Sequence, residues 1–187
     1  MRLAFAFFAL FTAACIVPAP SAEKGGNAGP PKPVAPAAPP AQVRNGAIFD
    51  GKVEMIGAEF NPGKVQTGES LKVTVSYRVI EEIENDYMIF VHVEDIDGRV
   101  DRINADHAPA GGTYPTSRWK KGDVVKDEYV VYVPPTMPVR GLTILTGFWD
   151  PKNDQRMVVK NPEAVRHDGN NRVMLGQIPV AGGQPQQ

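Results

Sequence analysis

The stretch from residue 106 to residue 123, DHAPAGGTYPTSRWKKGD, places aromatic and charged side chains in a polar, glycine-rich connection. An aromatic ring offers a flat apolar face on which the C–H face of a sugar can stack, and nearby Arg or Lys groups can donate hydrogen bonds to sugar hydroxyls. The sequence therefore suggests a ligand platform formed by Tyr114, Arg118, Trp119 and Lys120, with Trp149 as a second aromatic contact.

The same aromatic residues also have a structural interpretation. Trp and Tyr bury large areas and usually find one polar partner, so they suit a long crossover that must be held against the rest of a domain. In this alternative Trp119 covers an open edge, Tyr114 packs beneath it, and Asp106 or Asp127 accepts backbone N–H groups of the loop. Solvent exposure separates the two interpretations, because a ligand platform requires rings that are open to water.

Catalytic chemistry has less support. The loop contains the residue types of a hydrolase triad, namely Asp106, His107, Thr113, Thr116 and Ser117. No Gly-x-Ser-x-Gly turn is present to orient a nucleophile, and adjacent residues of a strand point to opposite faces, so the Asp and the His could not act together. We predict a non-catalytic protein; a glycan-processing enzyme with two carboxylates from distant strands is the remaining enzymatic alternative.

Metal binding is also disfavoured by spacing. The three histidines are not at the separation of a zinc site: they are His92, His107 and His167. The motif Asp95-x-Asp97-Gly98-x-x-Asp101 lacks the ligand positions of an EF-hand loop and is explained by a hairpin between two strands. We therefore predict that the protein holds no metal and no cofactor.

Charge excludes one class of partner. The chain has 187 residues with 20 Lys and Arg against 21 Asp and Glu, giving a formal net charge of -1. Nucleic-acid binding needs a basic surface that displaces counterions from phosphates, and the basic residues here are scattered among acidic ones. We expect no nucleic-acid partner.

The N-terminal residues indicate export. MRLAFAFFALFTAAC has one positive residue, Arg2, before an apolar run that is too short to span a bilayer, which predicts a signal peptide over residues 1–14. The single cysteine, Cys15, follows Thr12-Ala13-Ala14, and this stretch resembles the lipobox of bacterial lipoproteins, which more often has Leu in place of Thr12. The resemblance implies that Cys15 is lipidated and becomes the mature N-terminus. The alternative is an ordinary signal peptide cut nearby, with Cys15 removed.

A tether is expected after the lipidated cysteine. Residues 15–46 are rich in Pro, Ala and Gly and contain few large apolar side chains, so they cannot bury enough surface to offset the entropy of ordering. The lipoprotein resemblance implies a membrane anchor through the N-terminal lipid. Because no Asp follows Cys15, it also implies the outer membrane, on the periplasmic or the surface face.

The residues from 47 to 181 alternate in hydrophobicity with the period of β-strands. In LKVTVSYRVI, residues 71–80, apolar side chains fill one face, whereas DYMIFVHVED, residues 86–95, is apolar on both faces and belongs in the middle of a sheet. About eight short strands separated by Gly and Pro turns predict an antiparallel β-sandwich of the immunoglobulin-like or jelly-roll kind, followed by a flexible tail over residues 182–187.

A series of short motifs in this domain carries a further resemblance. They are Phe90-Val91-His92, Asp97-Gly98, Asp106-His107-x-Pro109, Gly112-x-Tyr114-Pro115-Thr116, Trp119-x-x-Gly122, Asp127-x-Tyr129, Pro134-Pro135 and Gly147-x-Trp149-Asp150. This order resembles the extracytoplasmic β-sandwich domains found at the C-terminus of mannosyltransferase-type membrane glycosyltransferases and in exported bacterial proteins. The resemblance covers about residues 50–180 and implies a sandwich module in a carbohydrate-rich setting, without catalytic residues.

Together these observations predict a lipid-anchored binding or scaffolding module of the cell envelope, accessory to an envelope protein assembly. The first alternative is a carbohydrate-binding module for an envelope or extracellular polysaccharide, and the second is a glycan-processing enzyme. The expected partners are a membrane, through the lipid, and either an envelope protein or a polysaccharide.

Overall fold

Two β-sheets account for most of the part of the chain that the computed structural model describes, residues 42–181. In chain order the strands are β1 (Val43–Phe49), β2 (Val53–Asn61), β3 (Val65–Gln66), β4 (Ser70–Val79), β5 (Met88–Asp95), β6 (Ile103–Asn104), β7 (Val124–Tyr132), β8 (Gly141–Asp150), β9 (Gln155–Arg156) and β10 (Val173–Ala181). Three short 3-10 helices lie at Pro109–Gly112, Thr116–Arg118 and Pro162–Ala164. The predicted all-β sandwich is confirmed.

The smaller sheet has the strand order β1-β2-β4-β7, and the larger sheet has the order β3-β10-β8-β5-β6 with β9 paired to β8. All pairings are antiparallel except that of the two-residue strand β3 with β10. Strand β5 lies between β8 and β6, as its apolar composition predicts. Within residues 42–181 no helix has the length and apolar character needed to cross a membrane.

The period-two pattern of β4 matches its burial. Leu71, Val73, Val75, Tyr77 and Val79 are all buried, and they face the larger sheet across one shared core. Burial of alternate residues is what a strand with one solvated face requires, so the sequence pattern determined the orientation of this strand.

The first strand begins earlier than the sequence suggested. The sequence predicts a tether up to residue 46, but residues 43–46 belong to β1, which pairs with β2. The register shifts between Arg44 and Ala47, and Gly46 lies in this interval with a φ of 92°. A bulge on an edge strand interrupts the alternation of polar and apolar residues. Residues 43–46 therefore lack the sequence pattern of a strand. The predicted signal peptide, Cys15, the tether up to residue 41 and the tail 182–187 lie outside the described residues.

The predicted hairpin at Asp97-Gly98 does not form, because Arg99 and Val100 after the turn belong to no strand. The Asp95 carboxylate accepts hydrogen bonds from the backbone N–H groups of Asp97 and Arg99, at 3.1 and 3.0 Å, and so the side chain satisfies these donors instead of a partner strand. The strand that pairs with β5 comes later, with Val93 opposite Ile103.

The segment RMVVK, residues 156–160, pairs with the larger sheet over a short stretch only. Only Gln155 and Arg156 pair with β8, and Val159 makes a single bridge to Phe49 of the other sheet. This short pairing places Arg156 directly opposite Trp149.

Candidate functional site

The two rings of the predicted ligand platform are buried. Trp119 is 0% exposed and Tyr114 is 1% exposed. Trp119 packs between Tyr77 of β4 and Phe148 of β8, each at 6.0 Å between ring centroids, and its Nε1 donates to the Tyr114 carbonyl at 2.9 Å. The prediction that Tyr114 and Trp119 stack on a ligand is therefore wrong, because their faces are already covered by the core.

Polar contacts hold the same loop in place. The Tyr114 hydroxyl lies 2.7 Å from the Asp123 carboxylate and 2.8 Å from the Arg118 carbonyl. Burial and the Asp123 carboxylate raise the pKa of Tyr114 to about 12, so the hydroxyl stays a donor. Thr116 accepts from the N–H of Tyr87 at 2.8 Å and donates to a nearby carbonyl. The structural interpretation of the loop agrees with these contacts.

The charged members of the predicted platform do not form a site. Arg118 and Lys120 are exposed, and the Lys120 ammonium pairs with Glu82 at 3.3 Å. With the rings of Tyr114 and Trp119 turned inward, these cations have no aromatic surface beside them.

Adjacent Asp106 and His107 point to opposite faces, as their position on an extended segment predicts. Both nitrogens of the His107 ring lie 2.8 Å from an acceptor, Nδ1 from the Ala105 carbonyl and Nε2 from the Asp127 carboxylate. Since both partners only accept, both nitrogens donate and the ring is an imidazolium. Asp127 also accepts from the Ala110 N–H at 2.8 Å, so this pair ties the loop to β7.

Trp149, the remaining predicted ligand residue, lies on the other side of the larger sheet. It is half-buried and lines an open depression of about 180 Å³, which we call the outer pocket. The residues that line the outer pocket are Phe90, His92, Arg102, Asp106, Trp149, Asp154 and Arg156.

Strand pairing explains why these residues meet. Ile89, Val91 and Val93 of β5 face the core, so Phe90 and His92 face outward, and Phe90 lies opposite Gly147 of β8. A Cβ on Gly147 would lie 2.7 Å from the Phe90 ring, so the glycine allows the ring to lie against the sheet as the floor of the outer pocket.

Arginines surround this floor. The Arg156 guanidinium lies 4.7 Å from the centroid of Phe90, a cation–π distance, and also donates to the Asn170 carbonyl at 2.9 Å. Arg102 and Arg172 each place a guanidinium nitrogen near His92 Nδ1, at 3.4 and 3.1 Å.

The ionisation of this region follows from those contacts. Burial lowers the pKa of His92, and the charges of Arg102, Arg172 and Arg156 lower it further, while Asp106 acts in the opposite direction. His92 is therefore neutral at physiological pH. The pKa of Asp168 falls to about 2, because its hydrogen bonds with Asn170 and Arg172 outweigh the effect of its burial.

The described residues contain no group of three or more His, Cys, Asp and Glu side chains that could hold a metal ion. His92 lies in the outer pocket, and His107 lies against Asp127. His167 lies in an exposed turn, where its Nδ1 accepts from the Gly169 N–H.

Comparison with known proteins gives likenesses of structure only. No protein-family model matches the chain, and no curated protein matches it. The crystal structure of the C-terminal domain of wzt aligns with a TM-score of 0.49 at 10% identity, covering 82% of this chain and 84% of that domain. A Niemann-Pick type C2 protein from the Japanese carpenter ant aligns with a TM-score of 0.40 at 10% identity, covering 69% of this chain and 92% of that protein.

Proposed function

We propose that the protein is a non-catalytic binding module of the bacterial cell envelope, anchored by a lipid on Cys15, and that it binds a polysaccharide at the outer pocket. The observation that carries this proposal is the grouping of Trp149 with Arg102 and Arg156 around an aromatic floor on an open sheet face. An open groove with a flat ring and polar groups at its edge suits an extended sugar chain, which stacks through C–H faces and bonds through hydroxyls.

Strand pairing and a ring contact hold the groups of the proposed site in place. Phe90 and Trp149 project from two long paired strands, β5 and β8, and Arg156 is held by both β9 and the Phe90 ring. A site whose groups are already ordered loses less conformational entropy when a ligand binds.

Replacing Trp149 by Ala should weaken polysaccharide binding about tenfold or more, since a tryptophan anchor typically contributes about 2 kcal/mol. Trp149→Phe should bind within about threefold of the wild type, because the flat face is kept and Nε1 has no hydrogen-bond partner among the described residues. Calorimetry of the full-length protein in detergent against a panel of envelope and extracellular polysaccharides measures both effects.

A matched control comes from the opposite sheet. Tyr132 of β7 is 52% exposed and does not line the outer pocket, so Tyr132→Ala removes an exposed aromatic ring from a different face and should leave binding unchanged. If Tyr132→Ala abolishes binding and Trp149→Ala does not, the binding face has been assigned to the wrong sheet.

The anchor has its own test. Cys15→Ser should abolish incorporation of a labelled fatty acid and release the protein from the membrane fraction, since a serine cannot form the thioether. Thr12→Leu should keep both properties, because it brings the lipobox closer to the usual pattern. Membrane retention and labelling of Cys15→Ser would show that the lipid is not on this residue.

A protein partner is a second candidate, favoured by an exposed apolar strip. Val130 and Tyr132 are 59% and 52% exposed on β7, which is an edge strand of the smaller sheet. Unpaired edge strands with apolar side chains are suited to pairing with another chain. Photo-crosslinking from position 130 in cells, with position 78 as the control, should then give one defined envelope-protein adduct; no adduct would argue against docking through β7.

A further inference from the structure

Two arginines of the outer pocket form no ion pair among the described residues, although two aspartates line the same pocket. Arg172 is paired, since its guanidinium lies 2.5 Å from Glu94 and 2.6 Å from Asp168. Arg102 and Arg156 differ from it: within residues 42–181 neither has a carboxylate at ion-pair distance, and their polar contacts are His92 Nδ1 and the Asn170 carbonyl.

His92 does not compensate these charges. A guanidinium only donates hydrogen bonds, so the shared contact of Arg102 and Arg172 with Nδ1 requires that this nitrogen be the unprotonated acceptor. The imidazole is therefore neutral, and its lowered pKa agrees with that assignment. Arg102 and Arg156 therefore remain as two cations of the outer pocket that have no carboxylate at ion-pair distance within residues 42–181.

The same pocket also offers acceptors. Asp106 and Asp154 are exposed and line it, and one oxygen of Asp106 already accepts from the Val91 N–H at 2.8 Å. These carboxylates would repel a small free anion but can accept hydrogen bonds from hydroxyl groups. A ligand that satisfies both parts of the pocket must carry a negative group for the arginines and hydroxyl donors for the aspartates.

We propose that Arg102 and Arg156 form an anion subsite for the carboxylate or phosphate of an acidic sugar, whose hydroxyls face Asp106 and Asp154 and whose ring stacks on Trp149. This inference rests on the proposed polysaccharide binding and specifies the ligand class as acidic polysaccharides. Arginine suits the role because its planar group binds carboxylates and phosphates through two parallel hydrogen bonds, and the contact with the Phe90 ring holds the Arg156 guanidinium at the floor of the pocket.

The experiment uses the full-length protein in detergent with monomeric glucuronate and three polymers. One is a polyuronate such as alginate, the second is the same polymer with its carboxyls reduced to neutral alcohols, and the third is a sugar polymer linked by phosphodiesters. Arg102→Gln and Arg156→Gln should each lower the affinity for the acidic polymer about tenfold, which corresponds to the loss of one charged hydrogen-bonding group.

A matched control is Arg118→Gln, which makes the same charge change at an exposed arginine outside the outer pocket and should leave affinity unchanged. The reduced polymer should bind at least tenfold more weakly than its parent. The polyuronate and phosphodiester arms show which anion the subsite prefers.

The outcomes separate this inference from the proposed function. Equal affinity for the parent and reduced polymers, with sensitivity to Trp149→Ala, would overturn the anion subsite and leave polysaccharide binding intact. Equal losses of affinity in the Arg118, Arg102 and Arg156 variants would mean that only the overall charge of the protein matters, and would also overturn the subsite. Binding of monomeric glucuronate that depends on Arg102 and Arg156, without binding of any polymer, would support the subsite and contradict the polysaccharide function. No binding of any sugar or polymer would contradict both.

Discussion

Replacing Trp119 by Ala should lower the free energy of unfolding by about 3–5 kcal/mol, the range typical of large-to-small substitutions in a core. The indole is 0% exposed and contacts Tyr77 and Phe148 from opposite sheets, so its removal opens a cavity between the two layers. It also removes the donor that satisfies the Tyr114 carbonyl. Denaturant unfolding of the full-length protein followed by tyrosine and tryptophan fluorescence measures the change.

Trp149→Ala is the matched comparison, since it deletes the same side chain from a half-exposed position. We expect it to cost clearly less stability than Trp119→Ala, because solvent can fill the space that it leaves. A Trp119→Ala protein that unfolds at the wild-type denaturant concentration would mean that the ring is not part of the core.

Removing the His107 imidazolium should have the second large effect. His107→Phe keeps a ring near Tyr129, at a centroid separation of 4.7 Å in the wild type, but leaves the fully buried Asp127 carboxylate without this donor. Breaking a buried charge pair by removing one partner typically costs about 3–5 kcal/mol. We expect the free energy of unfolding at pH 6 to fall by an amount near the lower end of this range, because the His107 side chain is 19% exposed.

The contribution of this pair should depend on pH in a defined direction. Burial lowers the pKa of His107, but the hydrogen bond and the charge of Asp127 outweigh it, so the folded-state pKa is raised above 6.5. A raised histidine pKa gives a stabilisation that is complete below the unfolded pKa of about 6.5 and is lost as the pH rises through the folded value. The difference in unfolding free energy between wild type and His107→Phe should therefore shrink as the pH rises above about 6.5.

The comparison between variants is needed because His92 contributes with the opposite sign, its pKa being lowered on folding. His107→Gln serves as a control that offers Asp127 a neutral donor; it should retain part of the stability and lose the pH dependence of this pair. A wild-type advantage that is constant from pH 6 to pH 9, or that grows with pH, would contradict the ion-pair assignment.

The sheet architecture could be predicted because the strands have distinct faces. Alternation from Leu71 to Val79 reports which side of β4 is buried, and the apolar character of both faces of β5 reports a central position. The sequence does not predict the start of β1, because a bulge at Gly46 breaks the alternation and because an edge strand is not apolar on both faces. The Asp95 side chain accepts from the backbone of the turn that follows β5, and sequence periodicity does not show this contact.

The binding residues were harder to predict for a different physical reason. An aromatic residue in a glycine-rich loop can face solvent or re-enter the core, and the sequence does not distinguish the two. Here Ala110, Gly111 and Gly112 all have φ values between 52° and 80°, and this left-handed turn precedes the segment in which Tyr114 and Trp119 turn inward.

The outer pocket left one signal in the sequence that could have indicated it. Phe90 and His92 occupy outward positions of a strand whose other face is already apolar, which suggests that something covers or uses the second face. Arg102 and Arg156 carry no such signal. Arg102 lies just before β6 and Arg156 lies in β9, and the two come together only because both short strands pair with the larger sheet.

The central claim, that ligand binds the outer face at Trp149, can be tested with the two tryptophans of the chain. Each indole N–H gives its own resonance in a proton–nitrogen correlation spectrum, and Trp149→Phe assigns them. Titration with the polymer that binds most tightly should shift the Trp149 resonance and leave that of Trp119, which is bonded to the Tyr114 carbonyl inside the core, in place. A shift confined to Trp119, or binding by calorimetry with Trp149 unmoved, would contradict the account.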